Sequence, residues 1–346
     1  MKRKNGFSKK LLPPLLGILA GVVVGALIVM LKGADPFSAY AALFTGAFGN
    51  LGNVTNSLIK TVPLGLTGLA VMISYRAGIF NIGCEGQLQI GAILATIVGI
   101  NFAGLNTGLH IGLCVLASMA AGAFLALIPA LAKAYRGYNE IVVTMLLNYI
   151  AIYFSSYMVQ GPLKAPGQLL PQSIRLYAPL PFVVPGTRLH LGIVFFILLS
   201  LLLYFILNKS AFGFKIRATG LNATASDYAG IKSKRIMIGA MLISGALAGM
   251  AGACEIMGVH ERLVENFSPG FGYDAIAVAL LANLHPLGVM LSALFFGALR
   301  NGASNMQIVT GLPVAFVQII QGISVLSVIA SGSLPAFIQR VRGRTV

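Results

Sequence analysis

Apolar runs of about 20 residues recur along this chain, separated by short polar or basic segments. A helix of that length crosses a hydrocarbon core of about 30 Å, so each run is a predicted membrane span. The run at 88–104 is shorter and marginal. Another, at 37–49, is too short to cross and is predicted to lie along the outer surface. The predicted spans are 11–31, 57–75, 88–104, 108–132, 141–159, 189–207, 236–259 and 309–330.

The apolar stretch 273–300 does not fit a single span. As one helix it would extend about 42 Å, well beyond the hydrocarbon core. Asn283, Leu284, His285 and Pro286 lie near its middle, and a proline there removes a helix hydrogen bond. We therefore predict two short helices that meet at a break.

Basic residues set the predicted orientation, because cytoplasmic loops carry an excess of Lys and Arg. If the N-terminal tail (1–10) is cytoplasmic, the basic loop 208–235 is cytoplasmic too, because it follows the sixth predicted span. The basic C-terminal tail (336–346) lies on the same side only if the total number of spans is even. Counting 273–300 as two gives ten and puts most of the 24 basic residues inside; eight remains open. The predicted fold is an all-α polytopic helical membrane bundle, one domain over 1–346.

The composition indicates that most of the chain is surrounded by lipid, and it argues against several other classes of protein. Hydrophobic residues make up 57% of the chain and charged residues 9%, far from the roughly 25% of soluble domains. The formal charge of +16 comes from the loop clusters, so nucleic-acid binding is not expected. The three cysteines are far apart and indicate neither disulfides nor a metal site. The first apolar run is longer than a signal-peptide core and lacks a cleavage site, so it is predicted to be retained.

The loop 208–235 is the longest predicted cytoplasmic segment, and its middle favours a short helix. Asn222 can cap that helix, and Gly230 can end it. A small helix flanked by cations would fit a groove on a soluble partner. An ordinary solvated loop is an equal alternative on the pattern alone.

A second polar segment, 77–91, lies between two predicted spans and contains Asn81, Glu85 and Gln87 among several glycines. It can be a broken, re-entrant segment, because unwound backbone at membrane depth is tolerated where it lines a cavity. It can equally be a tight cytoplasmic turn. Asn148 and Glu255 are further polar residues inside spans, where such groups face the bundle interior.

Several motifs give these segments a family resemblance. FNIGCEGQ at 80–87, NEIVVTMLLNYI at 139–150, RATGLNATASDYAGI at 217–231, SGALAGMAG at 244–252 and FGYDAIAVALL at 271–281 occur in order. Together they resemble permeases of ABC importers of the branched-chain amino acid/ribose-type class, in particular those for nucleosides and simple sugars. Ser226 stands where such permeases usually have alanine, and Cys84 stands where they often have alanine or valine.

The resemblance implies a pathway built by two permeases, either this chain with a paralogue or a homodimer, in a bacterial cytoplasmic membrane. It also implies partner ATPase subunits, which bind ATP and Mg²⁺, and an extracytoplasmic lipoprotein that delivers substrate. This chain has no P-loop, so it is expected to bind no cofactor and to be no enzyme. The residues implied to couple to the ATPase are Arg217, Ala218, Gly220, Asn222, Ala225, Asp227, Tyr228 and Gly230. Those predicted to line the substrate pathway are Phe80, Asn81, Glu85, Gln87, Asn148 and Asn283.

Amide-lined walls suit a neutral hydroxylated solute, since Asn and Gln both donate and accept hydrogen bonds. A nucleoside fits this description, and a pentose or hexose fits it nearly as well. A different class, a secondary carrier coupled to H⁺ or Na⁺, would require Glu85 or Glu255 to titrate within the pathway. A membrane enzyme is disfavoured because no catalytic motif is present.

Overall fold

The computed structural model describes residues 19, 21–102, 104–323 and 326–327, and within them the chain is helical with only isolated β-bridges. The predicted tails 1–10 and 336–346 and most of the last predicted span lie outside this part. The helices are α1 (Gly21–Leu31), α2 (Pro36–Phe48), α3 (Leu51–Arg76), α4 (Cys84–Asn101), α5 (Thr107–Arg136), α6 (Glu140–Gln160), α7 (Gly192–Lys209), α8 (Ala211–Leu221), α9 (Ala223–Tyr228), α10 (Ser233–Glu255), α11 (Phe271–Leu281), α12 (Pro286–Thr310) and α13 (315–323).

Five helices of the described chain are long and apolar enough to cross a membrane: α3, α5, α6, α7 and α10, the last extended by a π-helical turn, Ile256–His260. They confirm a polytopic helical bundle, while the count of ten spans stays a prediction. The centre of the bundle is α10, which packs mainly on α5, α4 and α3. Its small residues allow this, because glycine and alanine let helix backbones approach closely.

One end of the bundle is basic. Lys133, near the end of α5, pairs with Glu140 at the start of α6 (Nζ–Oε2 2.8 Å). Lys234, in the first turn of α10, stands 5.6 Å from the centre of the Tyr135 ring. Gly220 of α8 packs on the backbone of Arg76 at the end of α3. We call this the basic end; it contains α8 and α9.

The prediction of a break at 283–286 is confirmed. α11 ends at Leu281, Asn283 and Leu284 have positive φ (51° and 53°), and Pro286 begins α12. Arg76 Nε donates to Leu284 O (2.9 Å), which holds the turn at the basic end. The expectation of two short helices is wrong for the second one, since α12 continues to Thr310 and is about 37 Å long. Residues 309 and 310 accordingly belong to α12, and Gly311 ends it.

Two further boundaries differ from the predictions. α4 begins at Cys84, so residues 84–87 are helical and not part of a loop. The loop 208–235 contains two helices instead of one: α9 is the helix predicted to begin after Asn222, which is extended (φ −161°), and α8 precedes it. The short apolar run at 37–49 forms α2, and Asn305 Nδ2 of α12 donates to its Ala42 O (2.6 Å).

The segment 161–191 lies at the end of the bundle opposite to the basic end. Its backbone pairs with the chain that follows α10: Leu180 N donates to Met257 O (2.9 Å), and Leu176 N donates to Glu261 O (2.9 Å). From there residues 261–270 run back into the bundle to the start of α11, whose Phe271 O lies 3.4 Å from Thr67 Oγ1 in the middle of α3. α11 is therefore a half-length helix that begins inside the protein.

Candidate functional site

Two interrupted helices meet inside the bundle. After α3 ends at the basic end, residues 79–82 run inward without helical structure, and α4 begins only at Cys84. The first turns of α4 and α11 then touch, because Gly272 N donates to Glu85 Oε2 (2.7 Å). A Cβ on Gly272 would overlap the backbone of Glu85, so only glycine permits this approach. The helical structure is therefore interrupted between Arg76 and Cys84, within the segment 77–91 that was predicted to be broken.

Asn81 is the centre of the polar contacts behind this junction. Its Nδ2 donates to Gln87 Oε1 (2.9 Å) and to Ser244 Oγ (2.8 Å) of α10. Its Oδ1 accepts from Gly83 N (2.9 Å) and Gln87 Nε2 (3.2 Å). Ser244 Oγ in turn donates to Ala70 O of α3 (2.6 Å). Asn81 is fully buried and satisfied on all four positions, so it joins α3, α4 and α10.

Asn148 supports the same junction from α6. Its Oδ1 accepts from Gly86 N (2.8 Å), and its Nδ2 donates to Ile82 O (2.9 Å). These are backbone groups that the interrupted helix leaves without helical partners, and inside lipid they must be paired within the protein. The side-chain amide thus replaces the missing helical hydrogen bonds.

The structure brings four of the six predicted pathway residues together. Asn81, Glu85, Gln87 and Asn148 lie in one buried cluster, and each is at most 2% exposed. Phe80 lies at its margin toward the basic end, packed edge-on against Tyr75 (centroids 5.2 Å apart). Asn283 is elsewhere, exposed in the turn between α11 and α12. Contact of these residues with substrate stays a prediction.

An ion pair beside the junction was missed by the sequence analysis. Arg300 of α12 pairs with Asp274 of α11 (Nη2–Oδ2 3.0 Å) and stands 4.7 Å from the centre of the Phe271 ring. Both charged side chains are partly exposed, 14% and 32%. Asp274 is also an acidic residue in the first turn of α11, where a negative charge suits the helix dipole. No local pattern indicates a partner that lies one helix further along the chain.

The second candidate site is the α8–α9 unit at the basic end. Asn222 caps α9 as predicted, accepting from Ala225 N (2.9 Å), and Gly230 follows α9 with φ 79°. Three of the predicted coupling residues lie on α8 and not on α9: Arg217, Ala218 and Gly220. The Nη1 atom of Arg217 is buried and has no hydrogen-bond partner in the described chain.

Asp227 joins α9 to the central helix. It accepts from Ser233 N (2.9 Å) and Ser233 Oγ (2.8 Å) in the first turn of α10, whose own N-cap residue supplies no side-chain bond. These hydrogen bonds hold the pKa of Asp227 below its usual value. On the outer side of the same unit, Leu221 and Tyr228 are 89% and 91% exposed. α9 therefore combines a fixed inner attachment with an exposed apolar surface.

Other ionisable residues have structural partners. Asn139 caps α6 by accepting from Ile141 N (2.9 Å), and Glu140, an acid in the first turn of α6, pairs with Lys133. Glu255 ends α10, where its Oε1 lies 3.6 Å from His260 Nε2. In the described part of the chain no group of His, Cys, Asp or Glu could hold a metal ion.

The described chain is a polytopic helical membrane bundle with interrupted helices at its centre. The chain belongs to the family described as branched-chain amino acid transport system / permease component, whose pattern matches residues 53–329.

Its relatives agree with this assignment. It is 40% identical to the guanosine ABC transporter permease protein NupP of Bacillus subtilis, over 93% of both chains. It is 35% identical to the glucose ABC transporter permease protein TsgB13 of Haloferax volcanii (92% of this chain, 87% of the relative). It is 32% identical to the nucleoside ABC transporter permease protein NupB of Lactococcus lactis (91% and 90%).

The chain is also 30% identical to a second guanosine ABC transporter permease protein of B. subtilis, NupQ, over 70% of this chain and 79% of the relative. No solved structure matches it.

Proposed function

We propose that this chain is the permease subunit of an ABC importer that carries nucleosides across the cytoplasmic membrane. The observation that carries the proposal is its identity of 40%, over 93% of both chains, with a guanosine permease. ATP and Mg²⁺ are bound by separate ATPase subunits, and an extracytoplasmic lipoprotein delivers the substrate. A second permease completes the pathway. The similarity to both NupP and NupQ of one organism favours a paralogous partner over a homodimer.

The contacts described above suggest how ATPase motion reaches the pathway. The ATPase holds α9 by its exposed face, where Tyr228 projects. Asp227 transmits the displacement to α10 through Ser233. Ser244, eleven residues further along α10, is bonded to Asn81, so the start of α4 moves with it. ATP binding and hydrolysis shift the permease between an outward-open and an inward-open conformation that differ in their affinity for substrate, and the free energy of hydrolysis gives the cycle its direction.

Substitution in α9 tests the docking step. Ala225→Glu places a charge and a larger side chain on the exposed face of α9. We expect the variant to insert normally but to lose the co-purifying ATPase. Ala211→Glu is the matched control, since Ala211 is exposed at the start of α8, where an acid suits the helix dipole. Normal ATPase recovery and uptake with Ala225→Glu would contradict the assignment of α9.

Cysteine labelling tests the orientation. The three native cysteines are buried, so an impermeant maleimide added to intact cells reports on an introduced cysteine. Tyr228→Cys on α9 should be protected, and Leu169→Cys, at a position 99% exposed in the opposite-end segment, should react. The reverse pattern would place the basic end outside and exclude ATPase docking there. Ser226 is a poor labelling position because it is buried.

A sugar is the second candidate cargo, because the chain is 35% identical to a glucose permease. ATP-dependent uptake of guanosine and of glucose by the reconstituted transporter separates the two. Accumulation of glucose without guanosine would replace the nucleoside assignment. An ion gradient that drives uptake by this chain alone, without ATPase subunits, would favour the secondary-carrier alternative.

A further inference from the structure

α6 has two exposed tyrosines in its central part. Tyr149 and Tyr153 are 54% and 72% exposed, and they lie about 14 and 20 Å along a helix of about 31 Å. Tyrosines of membrane proteins concentrate at the two interfaces, where the hydroxyl reaches water. A pair of phenols in the central part of a span therefore needs a polar surrounding other than lipid tails.

The two rings share a face of α6 with polar groups. Positions 149, 153, 156 and 160 are spaced by four, three and four residues and so lie on one side of the helix. Ser156 hydrogen-bonds Glu265, and Gln160 Nε2 donates to Glu265 Oε1 (2.7 Å), in the segment that leads to α11. Ile150 and Phe154 lie on another exposed sector of α6 and are apolar, as lipid contact requires.

Tyr273 of α11 adjoins this face. The Tyr273 phenol, 39% exposed, has the Asn148 side chain, the Tyr149 phenol and the Glu85 carboxyl as electrostatic neighbours. Next to it is the partly exposed pair of Asp274 and Arg300, and Arg300 lies about 21 Å along α12. Charged groups at this depth face a water-filled cavity or other protein groups, not lipid.

We propose that this face is one wall of the substrate path, and that Tyr149, Tyr153 and Tyr273 stack on the planar base of a passing nucleoside. Stacking suits transport because it accepts any base and is weak enough to release it. The Asp274–Arg300 pair supplies donors and acceptors for ribose hydroxyls on the same wall. This inference deepens the proposed nucleoside function and rests on it.

Uptake of labelled guanosine and uridine by the complete reconstituted transporter tests the wall. We expect Tyr149→Leu and Tyr153→Leu each to lower guanosine uptake about five-fold or more at low substrate, and uridine uptake less, because a purine offers a larger stacking surface. Tyr149→Phe and Tyr153→Phe keep the ring and should stay within about two-fold of wild type. Phe154→Leu, an aromatic change at a similar depth on the lipid-facing sector, is the matched control.

Recovery of the second permease and basal ATP hydrolysis are measured on each variant. Retention of both with reduced uptake supports the stacking wall. Wild-type uptake by the Leu variants would overturn it, and so would equal losses in the Phe variants or in Phe154→Leu. Loss of the second permease from the Leu variants would also overturn it and assign this face to the permease–permease contact. Failure of the wild-type transporter to accumulate any nucleoside refutes the proposed function instead, before any variant is compared.

Discussion

Asn81 offers the most direct test of the junction between the broken helices. Replacement by alanine removes four hydrogen bonds at a fully buried position. Side-chain hydrogen bonds between membrane helices average about 0.6 kcal/mol each, which gives a lower value of about 2 kcal/mol for the four. The groups left behind, Gly83 N–H and both polar atoms of Gln87, then have no partner, and each such group costs about 1–3 kcal/mol. Three such groups give an upper value of about 9 kcal/mol, so we expect a loss of about 2–9 kcal/mol.

The assay is unfolding of the purified permease in detergent, followed by helical circular dichroism, for Asn81→Ala, Ser244→Ala and the double variant. The two residues share one bond, so the double variant should be more stable than the sum of the single changes predicts, by about 0.6–1.7 kcal/mol. Asn208→Ala is the control. Asn208 is exposed, and among the described residues its side chain donates to Tyr204 O of its own helix, so a change within about 0.5 kcal/mol is expected.

Two results would refute the reasoning. If Asn81→Ala unfolded like the Asn208→Ala control, the buried bonds would not hold the junction. If the effects of the two substitutions were additive, Asn81 and Ser244 would not act through a common bond, and the transmission from α10 to α4 would lose its basis.

Three further substitutions test the fold around the two sites. Gly272→Ala should sharply reduce the yield of folded permease, because the added Cβ overlaps the Glu85 backbone; Gly112→Ala, where no atom lies within 4 Å, should be neutral or slightly stabilising in a thermal-shift assay. Asn222→Ala removes the cap of a six-residue helix, worth about 1 kcal/mol, and should lower ATPase recovery several-fold on co-purification; unchanged recovery would show that the cap is dispensable. Gly230→Ala forces an L-residue to φ 79° at a cost of about 1–2 kcal/mol, so ATPase recovery should again fall, and full recovery would mean that the turn relaxes.

Local signals explain what the sequence could predict. A proline after Asn283 indicated the break before α12, and the capping preference of Asn222 indicated the start of α9. Both depend on residues close together in the chain, so the pattern contains the information. Helix α8, which precedes this cap, was not predicted, because its Gly213 and Gly220 are poor helix formers and are used where α8 packs on neighbouring backbone.

Contacts between distant segments explain what was missed. The length of α12 was underestimated because Asn301 and Asn305 look like the end of an apolar run. In the structure their amides donate to carbonyls of α2, so they are packing residues of a continuing helix. The bond from Asn81 to Ser244 likewise joins positions 163 residues apart, and no pattern along the chain specifies it.

The glycines of α10 limit which parts of the protein can slide. Gly249 lies against the backbone of Ser118 in α5, and Gly252 lies against the backbone of Leu88 in α4, both too close to accept a Cβ. Backbones in such contact cannot shift past each other without a clash. Gly272 ties α11 to α4 in the same way, so we infer that α4, α5, α10 and α11 travel as one rigid slab during a transport cycle, with the bending on its unwound margin at 77–83.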